Sequence, residues 1–265
     1  MKGYVKCIIA GAIILGIGIA ILIIALAVNG WKFDFKETEY EMKSYTAEQQ
    51  YDTLSVDISA GEVEIVYYEG ETIKFDYPEN NRFTATIVES KSGISFVSKK
   101  KNFWDWFSWG VTTLPKTTIS VPQDCKLNLN IELNAGTVNL PDGEFEKLSL
   151  HVNAGEIKGN SVTASSLECK MNAGTAKFES LECATGLFKV NAGTVTVSRF
   201  ACDKITTNVN AGTVTLSVVG TATEYTVDIT KNAGSCNIDN HTGTNGEKSI
   251  TGKMNAGALK VNFIN

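Results

Sequence analysis

The tripeptide Asn-Ala-Gly occurs at Asn134, Asn153, Asn172, Asn191 and Asn210, each 19 residues after the one before, and returns at Asn232 and Asn255 after intervals of 22 and 23. Four identical intervals lie beyond chance. Self-similarity at a period near 20 residues marks a chain that stacks one supersecondary unit upon the next. With each Asn as position 1, position 5 holds Val138, Ile157, Ala176, Val195 and Val214, and position 7 holds Leu140, Gly159, Phe178, Val197 and Leu216. Position 12 holds Phe145, Ala164, Cys183 and Cys202; position 15 holds Leu148, Leu167 and Ile205; position 19 holds Val152, Met171, Val190 and Val209. Within each stretch the apolar spacing is two, the strand period, and the phase resets at bends. A helical repeat needs spacings of three and four, so helical solenoids are excluded.

The reading is an all-β fold: a single-stranded parallel β-helix, or β-solenoid, in which each strand pairs with its equivalent one coil on. Gly136, Gly155, Gly174, Gly193, Gly212, Gly234 and Gly257 end the tripeptides and suit bends that need positive φ or close backbone approach. The register extends backwards, since Leu54–Val63 matches Leu148–Ile157 position by position. Thr117–Val121 together with Leu129, Ile131 and Leu133 supply another coil before Asn134. The total is about eight coils and a rod of about 38 Å at the spacing of paired strands. Residues 67–114 form an insertion, in which Glu71–Tyr77, Arg82–Glu89 and Gly93–Ser98 alternate like strands of a small antiparallel meander capping the rod. The sequence ends at Phe263-Ile264-Asn265, inside the repeat pattern, so an open C-terminal coil and self-association through it are expected.

Ile8–Val28 carries no charge over 21 residues. As a helix it spans about 31 Å, the thickness of a bilayer core. Lys2 and Lys6 precede it, and Trp31, Phe33 and Phe35 follow where an aromatic belt would lie. Residues 1–7 then read as a cytoplasmic stub, 8–28 as a transmembrane helix in the lipid bilayer, 29–50 as a polar stalk and 51–265 as the β-solenoid domain outside the cytoplasm. A cleaved signal peptide is the rival reading, because Ala25-Leu26-Ala27 resembles a cleavage site, although this run exceeds the usual apolar core of such signals.

A net charge of -5 leaves no basic face for nucleic acid. Two histidines, His151 and His241, are too few for a His-based centre, and the six cysteines contain no C-x-x-C pair. No metal or cofactor is expected. Positions 4 and 6 form a polar face (Thr137, Glu156, Thr175, Thr194, Thr213; Asn139, Lys158, Lys177, Thr196, Thr215) without the clustered carboxylates of acid/base catalysis. Asp142, Glu144 and Glu146 share one bend, where solvated acids are common. Only Thr194/Thr196 and Thr213/Thr215 form a T-x-T ladder of the ice-binding kind, and a solvated sheet face accounts for them. The Asn row reads as an amide ladder along the axis rather than a ligand surface. Cys183 and Cys202 share position 12 in adjacent coils, within disulfide range, and read as a buried small-residue ladder. Cys125, Cys169 and Cys236 have no equivalent neighbours, and Cys7 lies at the membrane border.

The most unusual stretch is Lys99, Lys100, Lys101, Phe103, Trp104, Trp106, Phe107 and Trp109, which gathers three of the four tryptophans beside three lysines. Aromatics next to cations suit a membrane interface, a sugar or a peptide. The alternative is that these rings cover the first coils.

An N-terminal membrane helix, a degenerate glycine-containing β repeat and the Val121-Pro122 step after a strand resemble the bacterial putative-adhesin family, domain of unknown function 4097, over roughly residues 51–262. The resemblance implies a surface-located β-solenoid with adhesion or envelope-stress roles, and it carries no catalytic residues onto this chain. The expected function is a non-enzymatic, membrane-anchored cell-surface scaffold or interaction module, whose partner is a cell wall, a surface polysaccharide or an envelope protein. Two alternatives stay open: a polysaccharide-active β-helix enzyme and a self-polymerising bactofilin-like scaffold.

Overall fold

The computed structural model describes residues 40–80, 83–100, 116–123, 125–244 and 246–265, all in one of two compact units of the chain. The segment 8–28, read from the sequence as a transmembrane helix, lies outside the described residues, among which no helix is long and apolar enough to cross a membrane. In chain order the strands are β1 (Glu41–Thr46), β2 (Thr53–Ile58), β3 (Gly61–Tyr68), β4 (Lys74–Glu79), β5 (Phe83–Ser90), β6 (Gly93–Lys100), β7 (Lys116–Pro122) and β8 (Leu127–Asn139). They continue as β9 (Gly143–Val190), β10 (Thr194–Val209), β11 (Thr213–Val219), β12 (Thr226–Lys231), β13 (Ser235–Cys236), β14 (Ser249–Met254) and β15 (Ala258–Ile264). A 3-10 turn, Ala222–Glu224, is the only helical segment among the described residues.

Successive repeats pair in parallel with residues 19 apart opposite one another: Val138 with Ile157, Val195 with Ala176 and with Val214, Val209 with Val190. Pairing runs on through the bends, which is why β9 continues unbroken for 48 residues. The apolar rows turn inward. Val138, Ile157, Ala176, Val195 and Val214 are all fully buried, and so are Phe178, Val197 and Leu216 in position 7. Size is compensated between rungs. A Cβ on Gly159 would stand 3.0 Å from Cδ1 of Phe178, so the ring of one rung fills the space left by glycine in the next.

The glycine row sets how closely rungs approach. Gly136 and Gly174 have φ of 136° and 123°, a region that side chains with a Cβ rarely enter. A Cβ on Gly174 would overlap the carbonyl oxygen of Gly155, and one on Gly136 that of Gly61.

Both ends of the stack depart from the sequence reading. Thr117–Val121 and Leu129–Leu133 belong to different rungs, on opposite sides of the first coil. β7 pairs with β3, Ile119 opposite Ile65, while β8 pairs with the other side of β2, Ile131 opposite Val56. Pro122 lacks an N–H and ends β7, and its carbonyl accepts from Cys125 N at 3.3 Å as the chain turns. β6 lies beside β7 in this outer rung, pairing in parallel with β2. β5 folds back on β6 as an antiparallel hairpin, whereas β4 pairs with β7 and with β1. The inserted strands therefore split between two places rather than forming one meander. β1, in the segment read as a stalk, is part of this sheet; Lys43 pairs with Glu79 at 2.6 Å, and Ala47 just beyond is buried.

At the other end the last strands are not outermost. β14 and β15 insert between β10/β11 and β12/β13, so Ile250 lies between Ile205 and Val227, and Leu259 between Val214 and Cys236. The intervals of 22 and 23 are the signature of this exchange: the chain places an outer rung first, then returns to fill the gap. In place of the open coil expected from the sequence, the outer edge at this end is partly covered, at Ala258 and Leu259 by β13 and at Val227, Ile229 and Val261 by the loop that follows it. Asn237 donates from Nδ2 to Val261 O at 2.9 Å and accepts from Val261 N at 2.7 Å. Asn240 does the same for Ile229, at 3.2 and 2.8 Å, and Val227 exchanges backbone bonds of 2.8 and 3.1 Å with His241. Side-chain amides and one short bridge occupy groups that a further strand would need.

Candidate functional site

The Asn row forms one continuous amide ladder on the exposed corner. Asn153 donates to Asn134 at 2.5 Å, Asn172 to Asn153 at 2.6 Å, Asn191 to Asn172 at 2.5 Å and Asn210 to Asn191 at 2.6 Å. The ladder continues in spatial rather than chain order: Asn255 donates to Asn210 at 2.6 Å and Asn232 to Asn255 at 2.8 Å. Interior members have one donor and one acceptor engaged by neighbours, which leaves less of each amide for a ligand.

The acidic bend does not converge. Asp142 Oδ1 caps Ser161 N at 2.9 Å, and Glu144 pairs with Lys126 at 2.8 Å, which lowers the Glu144 carboxyl below its ordinary range. The polar face of positions 4 and 6 is tied similarly, with Lys158 on Glu156 at 2.8 Å and Lys177 on Glu179 at 2.5 Å. The four threonines Thr194, Thr196, Thr213 and Thr215 do stand opposite one another, but Thr175, Lys177, Ala258 and Lys260 flank them in the adjoining rungs. His151 lies 4.0 Å from Glu132 and 3.8 Å from Glu168, which also holds Lys170 at 2.7 Å. Among the described residues no group of three or more His, Cys, Asp or Glu is placed to hold a metal ion.

A cleft of about 380 Å³ runs along the bend of position 12, bounded by Lys126 and Glu144 at one end and by Tyr225 and Lys248 at the other. Cys183 and Cys202 line its wall with their sulfurs 3.2 Å apart. Both are free thiols, as are Cys125, Cys169 and Cys236. Tyr225 is buried and donates to Cys202 O at 2.9 Å; burial, with the nearby Cys202 and acids, raises its hydroxyl to about 12. Lys248 sits 5.3 Å above the Tyr225 ring and pairs with Glu224 at 2.8 Å. Sequence reasoning missed this meeting of Tyr225 and Lys248 with the cysteine row, because both lie in the irregular intervals. The 22-residue step is the signal that something is built there.

Lys99 is exposed at the end of β6, and Lys101, Phe103, Trp104, Trp106, Phe107 and Trp109 lie outside the described residues. The strands that flank this segment, β6 and β7, form the outer rung of the stack, and β1 joins the sheet at the same end through β4. β1, β6 and β7 therefore lie at the same end of the stack.

A family model described as Toastrack DUF4097 matches residues 51–265. No curated protein matches the chain. Among solved structures, a putative adhesin from Bacteroides fragilis is 10% identical, covering 85% of this chain and 98% of that one, with a TM-score of 0.42. A putative adhesin from Parabacteroides merdae is 13% identical, with coverage of 86% and 97% and a TM-score of 0.41. A protein from Parabacteroides distasonis named as putative lipid binding is 14% identical, with coverage of 86% and 97% and a TM-score of 0.38.

Proposed function

The chain belongs to the Toastrack DUF4097 family, and on that premise we propose that it is a non-enzymatic interaction module: a β-solenoid of about eight coils, tethered to the cell membrane by residues 8–28 and standing outside the cytoplasm. The observation that supports this reading is that β1, which follows the apolar N-terminal segment in the sequence, and β6 and β7, which flank the tryptophan segment, lie at the same end of the stack. A tether and an aromatic, lysine-flanked loop at one end suit a molecule whose base rests on a bilayer, with the rings at the level of the headgroups. The rest of the stack then projects away and presents its flat, ion-paired faces to a wall polymer or an envelope protein. The acids that a glycan-cleaving enzyme would need are engaged elsewhere, Asp142 on a backbone amide and Glu144 on Lys126.

The test is vesicle binding by residues 40–265, freed of the apolar segment. Flotation with anionic vesicles is expected, and the triple change Trp104→Ser, Trp106→Ser, Trp109→Ser is expected to weaken it about tenfold or more. Full binding by the triple variant, or no binding by the parent, sinks the membrane-facing assignment. Loss of the strand signature in the variant shows instead that the rings cover the first coils.

A further inference from the structure

Position 12 changes character along the stack, from Phe145 and Ala164 to Cys183 and Cys202, all buried. The two cysteines are register partners on parallel neighbours, so their Cα atoms lie about 4.8 Å apart, inside the span a disulfide accepts. Their sulfurs are already 3.2 Å apart. The same rung supplies the space: where other rungs carry Leu148, Leu167 and Ile205 in position 15, this one carries Gly186. A Cβ there would stand 3.3 Å from the sulfur of Cys183 and 3.4 Å from that of Cys202. Its absence leaves room for the thiols to turn toward each other. Access is supplied as well, because both line the open cleft with the small residues Ala184 and Ala201. Cys169, by contrast, is fully buried, with its thiol pushed up to about 12 by burial.

We infer that Cys183 and Cys202 form a dithiol site that accepts a disulfide by exchange with a donor of the R–S–S–R class and thereby staples two consecutive rungs. In the first step one cysteine sulfur, having lost its proton, attacks a donor sulfur. A mixed disulfide forms and one R–S⁻ leaves, which takes up the proton. In the second, the neighbouring cysteine attacks its partner's sulfur in the mixed disulfide, the Cys183–Cys202 bond forms, and the second R–S⁻ leaves with the second proton. The cysteine pair is oxidised and the donor reduced by two electrons, with no further reagent. The hydrogen bond to Cys202, followed by burial, holds the Cys183 thiol above its ordinary range, so exchange quickens as pH rises.

The full-length chain, folded, is treated with oxidised glutathione, alkylated and digested with trypsin without reduction. Cleavage yields Phe178–Lys189, which carries Cys183, and Phe200–Lys204, which carries Cys202. The expected product is these two peptides joined, about 2 Da lighter than their sum, as the dominant disulfide and forming faster as pH rises. Cys183→Ser is expected to abolish it and to leave Cys202 as a lasting mixed disulfide with glutathione. Recovery of both peptides fully alkylated from the folded chain, or a joined pair only after denaturation, overturns the inference. So does a lasting mixed disulfide on the unsubstituted protein, since the second attack would then be failing.

Discussion

Asn172 binds two rungs at once, donating to Asn153 at 2.6 Å and accepting from Asn191 at 2.5 Å. The ladder is exposed, so water can replace either partner, and the bonds contribute modestly. Asn172→Ala is expected to cost about 1–2 kcal/mol, two ordinary net hydrogen bonds, in urea unfolding monitored by circular dichroism. Gly174, two residues on, is held far more strictly. Its φ of 123° disfavours any Cβ, and the Gly155 carbonyl occupies the place a methyl would take. Gly174→Ala is expected to cost about 3–5 kcal/mol by adding backbone strain to overpacking. If the two substitutions proved equally mild, the glycine row would not be what sets the approach of the rungs. Asparagine and glycine are thus readable together from the sequence for different reasons: one repeats because amides stack, the other because backbone must pass close to backbone.

At the scale of elements, the outer edges of β12 and β15 depend on a loop rather than a strand. Asn237 and Asn240 mimic backbone pairing at Val261 and Ile229. Replacing both by Ala is expected to uncover four backbone groups and to produce concentration-dependent association in sedimentation, where the parent chain 40–265 stays monomeric. His241 pins the same loop, its Nδ1 donating to Asp239 O at 2.9 Å and its Nε2 to Ala222 O at 2.8 Å. Two carbonyl acceptors favour the doubly protonated ring, so the pKa lies above its ordinary value, the bond to Ala222 contributing most. A raised pKa means that the stabilisation is complete below about pH 6.5 and fades as pH rises through the folded value. Hydrogen exchange of Val227 and Ile229, corrected for its intrinsic pH dependence, should therefore show weaker protection at pH 8 than at pH 6, and His241→Gln should remove the difference. At the other end, Glu89 accepts from Tyr51 at 2.7 Å and from Tyr45 at 2.8 Å, tying the chain between β1 and β2 to β5. Burial there pushes its carboxyl up, but the bonds from Tyr51, Tyr45 and Glu48 N win and lower it. That tether holds above the usual carboxylate range and loosens as pH falls toward the folded value, which limited proteolysis after Thr46 would register. None of these edge devices was legible beforehand. An asparagine in a polar loop looks the same whether it faces water or closes a sheet, and β1 shows too little buried surface to announce a strand.

For the whole molecule, the period was legible because every rung solves the same packing problem, and the rung order at the ends was not, because exchange depends on irregular connections: the insertion 67–114 at one end, and 220–225 and 237–248 at the other. That exchange places the first coil, β2 and β3, and the last strands, β14 and β15, each between two neighbours, while β1 forms the outer edge through β4. In a stack whose rungs contact only their neighbours, the length should then be adjustable in whole repeats while both ends stay intact. Deleting residues 172–190 joins Met171 to Asn191, preserves the alternation of every later side chain and removes one rung. This variant is expected to fold with a strand-type circular dichroism spectrum. Its stability should fall by about 2–4 kcal/mol, because Gly159 loses the Phe178 ring that fills its space and a cavity opens over it. Deleting residues 172–189 instead shifts the remaining chain by one position and turns its apolar rows outward, which is expected to abolish folding. Equal behaviour of the two deletions, whether both fold or both fail, would show that the stack is held by its ends and not by rung-to-rung register.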